Sequence, residues 1–500
     1  MRAALGKYLL IAAAVFAMVW AVARAALQSL TQDEADTYFW FASKTALRDI
    51  LHPFPNNHVL NTLLIWMTTR AFGLSPITLR LPALLGGAWY VFVCYFLCRC
   101  ITDRFSLQLP ILICLVYNPF LFDFMVAARG YSLASAFLMT AIAVPVWHRG
   151  RTSLGLSCAI TSLALGLSFA ANFSFVFADL GAFLALVAWA VSQRQTESIA
   201  GIAGFCVLPG LLAALVLCGY PLAHWPKGEL FYGAHSLREM WQSLVQVSFY
   251  QFYPPFAHFE FYKILNSLRP WLAPALGVFC ILQIVATWLD GSWAKDANAR
   301  WLRTLAISLL SITGLCVLLH WMAYRLDVFP LPMTRTGIFL IPLCTLSAAV
   351  IGAGPARFPI SRAIRRCITG VFACIACYLL LCLRLTYFQE YRDDADTKEI
   401  YAVLAKINHA YGVTDTAMDG LYVAPLNFYR VMSKKETFPE FQYVSLDDFP
   451  KGKSIYILHG GYFREFIKNE RLAIVYRGKL SEVVVAVKPD GAIPPAMIEP

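Results

Sequence analysis

The sequence predicts a polytopic α-helical membrane protein of about eleven transmembrane helices, followed by a small extracytoplasmic α/β domain. Of its 500 residues, 59% are hydrophobic and only 14% are charged, and the mean hydropathy is +0.60. Soluble domains carry about 25% charged residues, so most of this chain cannot face water. Apolar windows recur to about residue 386, where the composition turns abruptly polar.

Apolar windows of about 17 to 25 residues, the length that crosses a bilayer, set the number of crossings. The first window follows Met1-Arg2 and Lys7. It is interpreted as an uncleaved span rather than a signal peptide, because it is long enough to cross and many spans follow. The predicted spans are 8–28, 79–99, 106–121, 131–147, 153–171, 173–191, 199–219, 271–289, 303–322, 336–353 and 367–386.

The segment 59–73, VLNTLLIWMTTRAFG, determines the predicted orientation. If it does not cross and the N-terminus is cytoplasmic, the later basic loops all face the cytoplasm, as the positive-inside rule requires. If it crosses, every one of those loops lies outside. We therefore expect 59–73 to be an interfacial helix against the outer leaflet of a cell (inner) membrane, with the C-terminal domain extracytoplasmic.

Two regions follow from this topology, a transmembrane region over 1–387 and the α/β domain over 388–500. The transmembrane region has large outer loops at 29–78 and 220–270, and the second, rich in aromatics and prolines, predicts interfacial helices and turns. In the tail, helical spacing over 394–410 predicts a helix. Four short apolar runs there predict strands: LYVAP, SIYILHG, LAIVYRG and VVVAVKP.

Composition also excludes other classes. The net charge is +11, but the charges stand singly between apolar stretches, and no basic run marks a nucleic-acid partner. All fourteen cysteines lie in apolar segments or at their edges, where cysteine behaves as a small hydrophobe. The CxxC-like pair Cys374 and Cys377 falls inside a span, so helix packing explains it better than a metal site.

Three carboxylates, Asp33, Glu34 and Asp36, lie directly after the first span. Beside a bilayer such a group is costly unless it meets a cation, a metal or water. Two interpretations carry equal weight. Acidic residues favour the first turn of a helix, here over about 33–47. Alternatively, a carboxylate with a raised pKa can act as a general base toward a hydroxyl group.

Arginines recur at the predicted outer ends of the spans. A lone arginine there would be a snorkelling anchor, whereas several around one cavity could hold a phosphate bidentately. The four are Arg80, Arg129, Arg325 and Arg335.

Two further polar residues, Asp123 and His58, have more than one possible role. Asp123 shares a short turn with Arg129, and an ion pair between the two is an even alternative. His58, at the start of 59–73, could cap the helix, donate to a phosphate or ligate a metal.

The order of these motifs resembles a known family. Asp33–Tyr38 follows the first span, Asn56-Asn57-His58 precedes the interfacial segment, and Leu79–Leu84 opens the next span. Ala128-Arg129-Gly130-Tyr131 and, more loosely, Pro332–Arg335 follow. Together they resemble the GT-C glycosyltransferases of the protein mannosyltransferase and aminoarabinose transferase type, most specifically over residues 1–150.

The resemblance implies an inverting enzyme that moves a sugar from a polyprenyl-phosphate carrier to a lipid, glycan or protein acceptor outside the cytoplasm. It implies no cofactor beyond a divalent cation, which stays open. The implied roles are a base at Asp33, assisted by Glu34; acceptor or cation contacts at Asp36, Asp123 and Tyr131; and donor-phosphate contacts at Arg129, Arg335 and His58.

The sequence departs from the family pattern at two points. The usual His-Pro is His58-Val59 here, although His52-Pro53 lies nearby, and an acidic residue expected just before Arg129 is alanine, with Asp123 as the substitute. The alternatives are a transporter or flippase of lipid-linked sugars, or a subunit that only binds lipid-linked glycan. A transporter needs polar residues at mid-membrane depth, whereas here the acids cluster at one face, which favours an enzyme.

Overall fold

The fold is taken from a computed structural model. It describes residues 2–148, 152–194, 198–226, 228–230, 232–249, 260–289, 291, 293, 296–433, 438–444, 449–489 and 493. The described helices are α1 (Arg2–Leu27), α2 (Gln32–Asp36), α3 (Leu47–Ile50), α4 (Val59–Phe72), α5 (Pro76–Ile101), α6 (Phe105–Val116), α7 (Pro119–Val126), α8 (Tyr131–His148), α9 (Leu154–Ala171), α10 (Val176–Gln193), α11 (Ile199–Ala223), α12 (Leu237–Ser248), α13 (Glu260–Leu289), α14 (Ala297–Arg325), α15 (Leu340–Ala353), α16 (Pro359–Leu381), α17 (Thr397–Tyr411), α18 (Gly420–Ser433) and α19 (Arg464–Asn469). The strands are β1 (Thr416–Met418), β2 (Ile455–His459), β3 (Ala473–Arg477) and β4 (Val483–Val487).

The chain is a multi-pass membrane protein. Within the described residues ten helices are long and apolar enough to cross a bilayer. The count is eleven if α6 and α7, which meet at 55°, form one broken span. The predicted number of spans is confirmed, and the window 106–121 corresponds to the broken pair. The break falls at Asn118-Pro119, where Asn118 caps α7 and proline starts the new helix.

Helix α4 lies where the sequence predicts an interfacial helix. It has 14 residues, which at 1.5 Å each give a length of about 21 Å. This is shorter than the hydrocarbon core of about 30 Å. The side of the membrane on which it lies stays a prediction.

Contacts within the chain group its residues into two units. The first comprises Met1–Val22, Leu51–Asn61 and Pro82–Arg384, and the second comprises Ala23–Ile50, Thr62–Leu81 and Leu385–Pro500.

The first unit is a helical bundle in which α9 packs against both α8 and α11. The crossing of α9 and α11 is close, because a Cβ on Gly166 would lie only 2.2 Å from the carbonyl oxygen of Gly210. Small residues at such a crossing let two backbones approach, as is usual for helix pairs in membranes. The outer loop 220–270, predicted to form interfacial helices and turns, contains α12, and its residues 227, 231 and 250–259 lie outside the described residues.

The second unit contains the predicted α/β domain. Its sheet has the order β1-β2-β4-β3, with β1 parallel to β2 and the other neighbouring pairs antiparallel. Every residue of the central strands β2 and β4 is buried, and all of them except His459 are apolar. Three of the four predicted strands are confirmed, and the predicted helix at 394–410 is α17.

The LYVAP prediction is wrong, because residues 421–425 lie in helix α18 rather than in a strand. The run Tyr422–Tyr429 is buried throughout, and an unbroken apolar run has no period that separates a buried helix from a buried strand. A local signal is present in Asp419, whose carboxylate accepts the N–H of Leu421 at 3.2 Å and so begins the helix. The strand β1, of three residues, was not predicted.

Candidate active site

The acidic segment after the first helix folds as a capped helix. Thr31 is the N-cap of α2: its hydroxyl accepts the N–H of Glu34 at 3.2 Å, and a carboxylate oxygen of Glu34 accepts the N–H of Thr31 at 2.9 Å. This reciprocal capping box satisfies two backbone donors that the helix end would leave open. Of the two interpretations of the acidic residues after the first span, the helix-cap interpretation therefore applies to Glu34.

Glu34 also forms a buried ion pair with Arg80 of α5. The Arg80 Nε and Nη2 donate to the two carboxylate oxygens at 2.8 Å and 2.7 Å, and both side chains have no exposed surface. The guanidinium donates further to the carbonyls of Ala25, Gln28 and Ser29, at 3.0, 2.9 and 2.7 Å. A buried charge pair needs such additional hydrogen bonds to offset its desolvation. Arg80 thus ties α5 to the chain between α1 and α2.

Asp33 and Asp36 receive hydrogen bonds from the polar tail. The Tyr391 hydroxyl donates to Asp33 Oδ2 at 2.8 Å, and the Tyr443 hydroxyl donates to Asp36 Oδ1 at 3.3 Å. Asp33 is half-buried, whereas Asp36 is 5% exposed. A carboxylate with some exposure and a fixed orientation is a better candidate for contact with a substrate than a sealed one.

Tyr391 and Tyr443 were missed by the sequence analysis. Both lie more than 350 residues from their partners, and tyrosine is common among the aromatics of this chain. No local pattern distinguishes them.

A fourth carboxylate, that of Asp394, contacts the start of the acidic helix α2. It is 5% exposed and accepts the N–H of Gln32 at 2.9 Å. Burial raises the pKa of Asp394 well above its ordinary value, and the negative charges of Asp33, Asp393 and Glu34 act in the same direction. The sequence contains a local sign of this buried carboxylate, because three acidic residues at 393, 394 and 396 lie close together.

In the first unit, Arg129 is held by two neighbours of the Asn56–His58 segment. Its Nη2 donates to Asn56 Oδ1 and lies 2.8 Å from His58 Nε2. A guanidinium has only donors, so His58 Nε2 accepts and the ring is the neutral Nδ1–H tautomer. The sequence motifs Asn56-Asn57-His58 and Ala128–Tyr131 are therefore in direct contact.

The turn that presents Arg129 is closely packed. The rings of His58 and Tyr131 lie 5.0 Å apart, and Asn61 donates to the Ala128 carbonyl at 3.2 Å. A Cβ on Gly130 would lie 1.8 Å from the Ala171 carbonyl oxygen and 2.9 Å from His58 Nδ1. Only glycine fits this position.

The remaining predicted residues of the first unit lie on other elements. Asp123 is on α7 and is 3% exposed. Arg335 is half-buried in a short 3₁₀ turn, with its guanidinium carbon 5.6 Å from the centre of the Tyr232 ring. The Tyr232 hydroxyl in turn lies 2.7 Å from the Thr334 hydroxyl. Within the described residues, no group of three or more His, Cys, Asp or Glu side chains has the geometry to hold a metal ion.

Comparison with known proteins gives structural likenesses that cover nearly the whole chain. No protein-family model and no curated protein matches the sequence. The crystal structure of ArnT from Cupriavidus metallidurans bound to undecaprenyl phosphate is similar over 97% of this chain and 98% of that chain, with 12% sequence identity and a TM-score of 0.51. The chain has the fold of ArnT.

The apo structure of the same ArnT covers 98% of both chains, with 12% identity and a TM-score of 0.42. The predicted fold, a polytopic helical region followed by a small α/β domain, is confirmed by the likeness to the bound ArnT structure. Because that likeness spans nearly the whole chain, it includes the polar tail, for which the sequence resemblance offered only a matching position.

Proposed function

We propose that this chain is a membrane glycosyltransferase that moves a sugar from a polyprenyl-phosphate donor to a hydroxyl of a lipid, glycan or protein acceptor. The supporting observation is Asp33, a half-buried carboxylate oriented by Tyr391 and set immediately after the first membrane span of an ArnT-like fold. The ArnT structure contains undecaprenyl phosphate, which supports a polyprenyl phosphate as the carrier here.

Asp33 is the general base in this proposal. Its carboxylate takes the proton of the acceptor hydroxyl while the oxygen attacks the anomeric carbon of the sugar. The bond from that carbon to the phosphate oxygen breaks on the opposite face, and the carrier phosphate leaves with the electron pair. Attack opposite the leaving group inverts the anomeric centre.

Asp33 suits this role better than Glu34 does. Both oxygens of Glu34 already accept hydrogen bonds from Arg80, and Glu34 has no exposed surface. Proton transfer requires the base to come within hydrogen-bond reach of the substrate. We therefore assign Glu34 to fixing the loop and Asp36, which is 5% exposed and accepts the Tyr443 hydroxyl, to positioning α2 beside Asp33.

Arg129 is the proposed ligand of the leaving phosphate. Asn56 and His58 hold its guanidinium in a defined orientation. Negative charge grows on the phosphate as the bond breaks, and a preorganised donor at that point is among the largest sources of rate enhancement. Tyr131 supports the His58 ring, and Arg335 and Asp123 are further candidates for donor and acceptor contacts.

The test is sugar transfer by the purified full-length protein in nanodiscs, with a labelled polyprenyl-phosphate sugar and extracted envelope lipids and glycans as acceptors. Asp33→Asn should lower transfer by at least about 10³-fold, within the range expected for a lost catalytic base, with expression and unfolding temperature unchanged. The matched control is Asp49→Asn, which removes an exposed acid of the same loop.

Release of free carrier phosphate that depends on acceptor distinguishes an enzyme from a flippase or a glycan-binding subunit. A wild-type protein that moves the labelled lipid across the bilayer without cleaving it would overturn the proposal. Near-wild-type transfer by Asp33→Asn would overturn the assignment of the base alone.

A further inference from the structure

A cavity lies inside the helical bundle of the first unit, among α8, α9, α10 and α14. Its volume is about 290 Å³. The walls are mostly aliphatic and aromatic, and the polar lining includes Thr161, Thr304 and Ser308. None of the residues to which the proposed function assigns a role lines it.

The cavity is elongated along the helices. On α14 it extends from Arg300 to Ile312, and on α10 from Ala182 to Gln193. The twelve rises of 1.5 Å from Arg300 to Ile312 span about 18 Å. Half of a hydrocarbon core of about 30 Å is about 15 Å. The cavity therefore runs through about one leaflet, the depth of one lipid chain.

Polar groups collect at one end of this cavity. Arg300 lies in the first turns of α14, and Gln193 and His148 end α10 and α8. His148 is held in place, since its Nδ1 lies 3.2 Å from the Thr152 hydroxyl and 2.9 Å from the Ser157 hydroxyl. Its ring meets the Trp189 ring edge-on at 5.3 Å. An aromatic and basic rim is typical of the membrane–water interface.

The arrangement matches one class of ligand. A lipid chain requires an apolar channel of about one leaflet in depth, and a lipid phosphate requires a cation at the interface. Arginine binds phosphate through a planar fork of donors, and the N-terminal end of a helix adds a partial positive charge to that of Arg300. A zwitterionic lipid would gain less from this end of the cavity than an anionic one.

We propose that this cavity is a binding site for an anionic phospholipid, with one acyl chain between α8, α10 and α14 and the phosphate at Arg300. None of the residues that line the site has a role in the proposed function, and the site does not depend on the chain being a glycosyltransferase. The bound lipid would act as a structural part of the bundle at the end of α8 that carries His148.

The experiment is native mass spectrometry of the full-length protein released from nanodiscs of equal parts phosphatidylglycerol and phosphatidylcholine. The wild type should retain one phosphatidylglycerol preferentially. Arg300→Gln should lower that retention about tenfold, as expected for losing one charge-assisted hydrogen bond. The matched control is Arg303→Gln, which removes an equal exposed charge one turn further along α14 and outside the cavity.

A second variant tests the apolar channel. Ala185 lines the cavity, whereas Ala188, on the same helix, is exposed and does not. Ala185→Phe should abolish retention of the lipid, and Ala188→Phe should leave it unchanged. Unfolding temperatures of all four variants show whether the bundle is intact.

Three results would overturn the proposal. The first is equal retention of the two lipids by the wild type. The second is wild-type retention by both Arg300→Gln and Ala185→Phe. The third is an equal loss in Arg303→Gln, which would mean that the surface charge of α14 attracts the lipid without a site.

Discussion

Two buried arginines, Arg80 in the second unit and Arg129 in the first, have different partners. The Arg80 guanidinium meets both oxygens of Glu34 and three backbone carbonyls. The Arg129 guanidinium meets the amide oxygen of Asn56 and a ring nitrogen of His58. Both arginines are 1% exposed or less, so burial alone does not separate them.

The two sets of contacts differ in kind. The Glu34 carboxylate and the backbone carbonyls make Arg80 a structural link, whereas the Asn56 amide oxygen and the His58 ring orient Arg129. In sequence the two residues look alike, each near the end of a predicted span. The role of a buried arginine therefore depends on the groups that contact it.

The largest effect should come from breaking the Arg80 pair. Arg80→Met leaves Glu34 buried without its partner, and truncating one member of a buried pair costs about 3–5 kcal/mol. We expect a large loss of unfolding free energy, measured by denaturant unfolding in detergent. The control Arg70→Met removes an exposed arginine that donates to the Ala42 and Lys44 carbonyls, at a cost of about 1 kcal/mol.

The double variant Arg80→Met with Glu34→Leu sharpens this test. Removing both charges avoids the unpaired carboxylate, so most of the lost stability should return. If the single variant stays stable and loses only transfer activity, then Arg80 belongs with the catalytic residues and is not a structural link.

The next effect concerns Arg129. Arg129→Lys keeps the charge but loses the bidentate fork, and transfer should fall by about 10²-fold, as for removal of one transition-state donor. The measurement is kcat/KM in the nanodisc assay, with unfolding temperature alongside. The control is Arg325→Lys at the exposed end of α14, which should retain activity. A loss of stability matching that of Arg80→Met would assign Arg129 a structural role.

A smaller effect is expected at Tyr391. Its hydroxyl bonds to the Asp33 carboxylate, and a hydrogen bond to the charged form holds down the pKa of a carboxyl group. In Tyr391→Phe the pKa of Asp33 should rise, so the acidic limb of the pH–rate profile moves to higher pH and kcat falls about tenfold.

The control for Tyr391→Phe is Tyr462→Phe, which changes a tyrosine of the same domain that is 78% exposed. An unshifted acidic limb in Tyr391→Phe would mean that this hydroxyl does not act on the base.

The smallest effect should come from Asp394. Burial raises its pKa in the folded protein, so above the pKa of the unfolded chain the unfolded state releases a proton that the folded state retains. Stability is therefore lost as pH rises toward the folded-state pKa. Asp394→Asn keeps an acceptor for the Gln32 N–H and should raise the unfolding temperature by a few degrees at pH 7. The gain should shrink at pH 4, and a constant gain would contradict the assignment.

The sequence determined much of this molecule. Window length and hydropathy predict the spans, because bilayer thickness constrains each helix locally, and the motif order predicted the fold that the likeness to ArnT confirms. The sequence also grouped the motifs Asn56–His58 and Ala128–Tyr131, and the structure brings Arg129 and His58 into contact. The strand prediction for LYVAP is wrong because this segment is buried on all sides. Its sequence therefore shows no hydrophobic period that would distinguish a helix from a strand.

Only the tertiary structure decided how the charged groups are partnered. Asp33 and Glu34 are adjacent in sequence, yet one receives a tyrosine from the tail and the other a buried arginine. Hydrophobic periodicity is local and can be read along the chain. The partners of Asp33 and Asp36 lie 358 and 407 residues away, and no local pattern specifies a contact at such a distance.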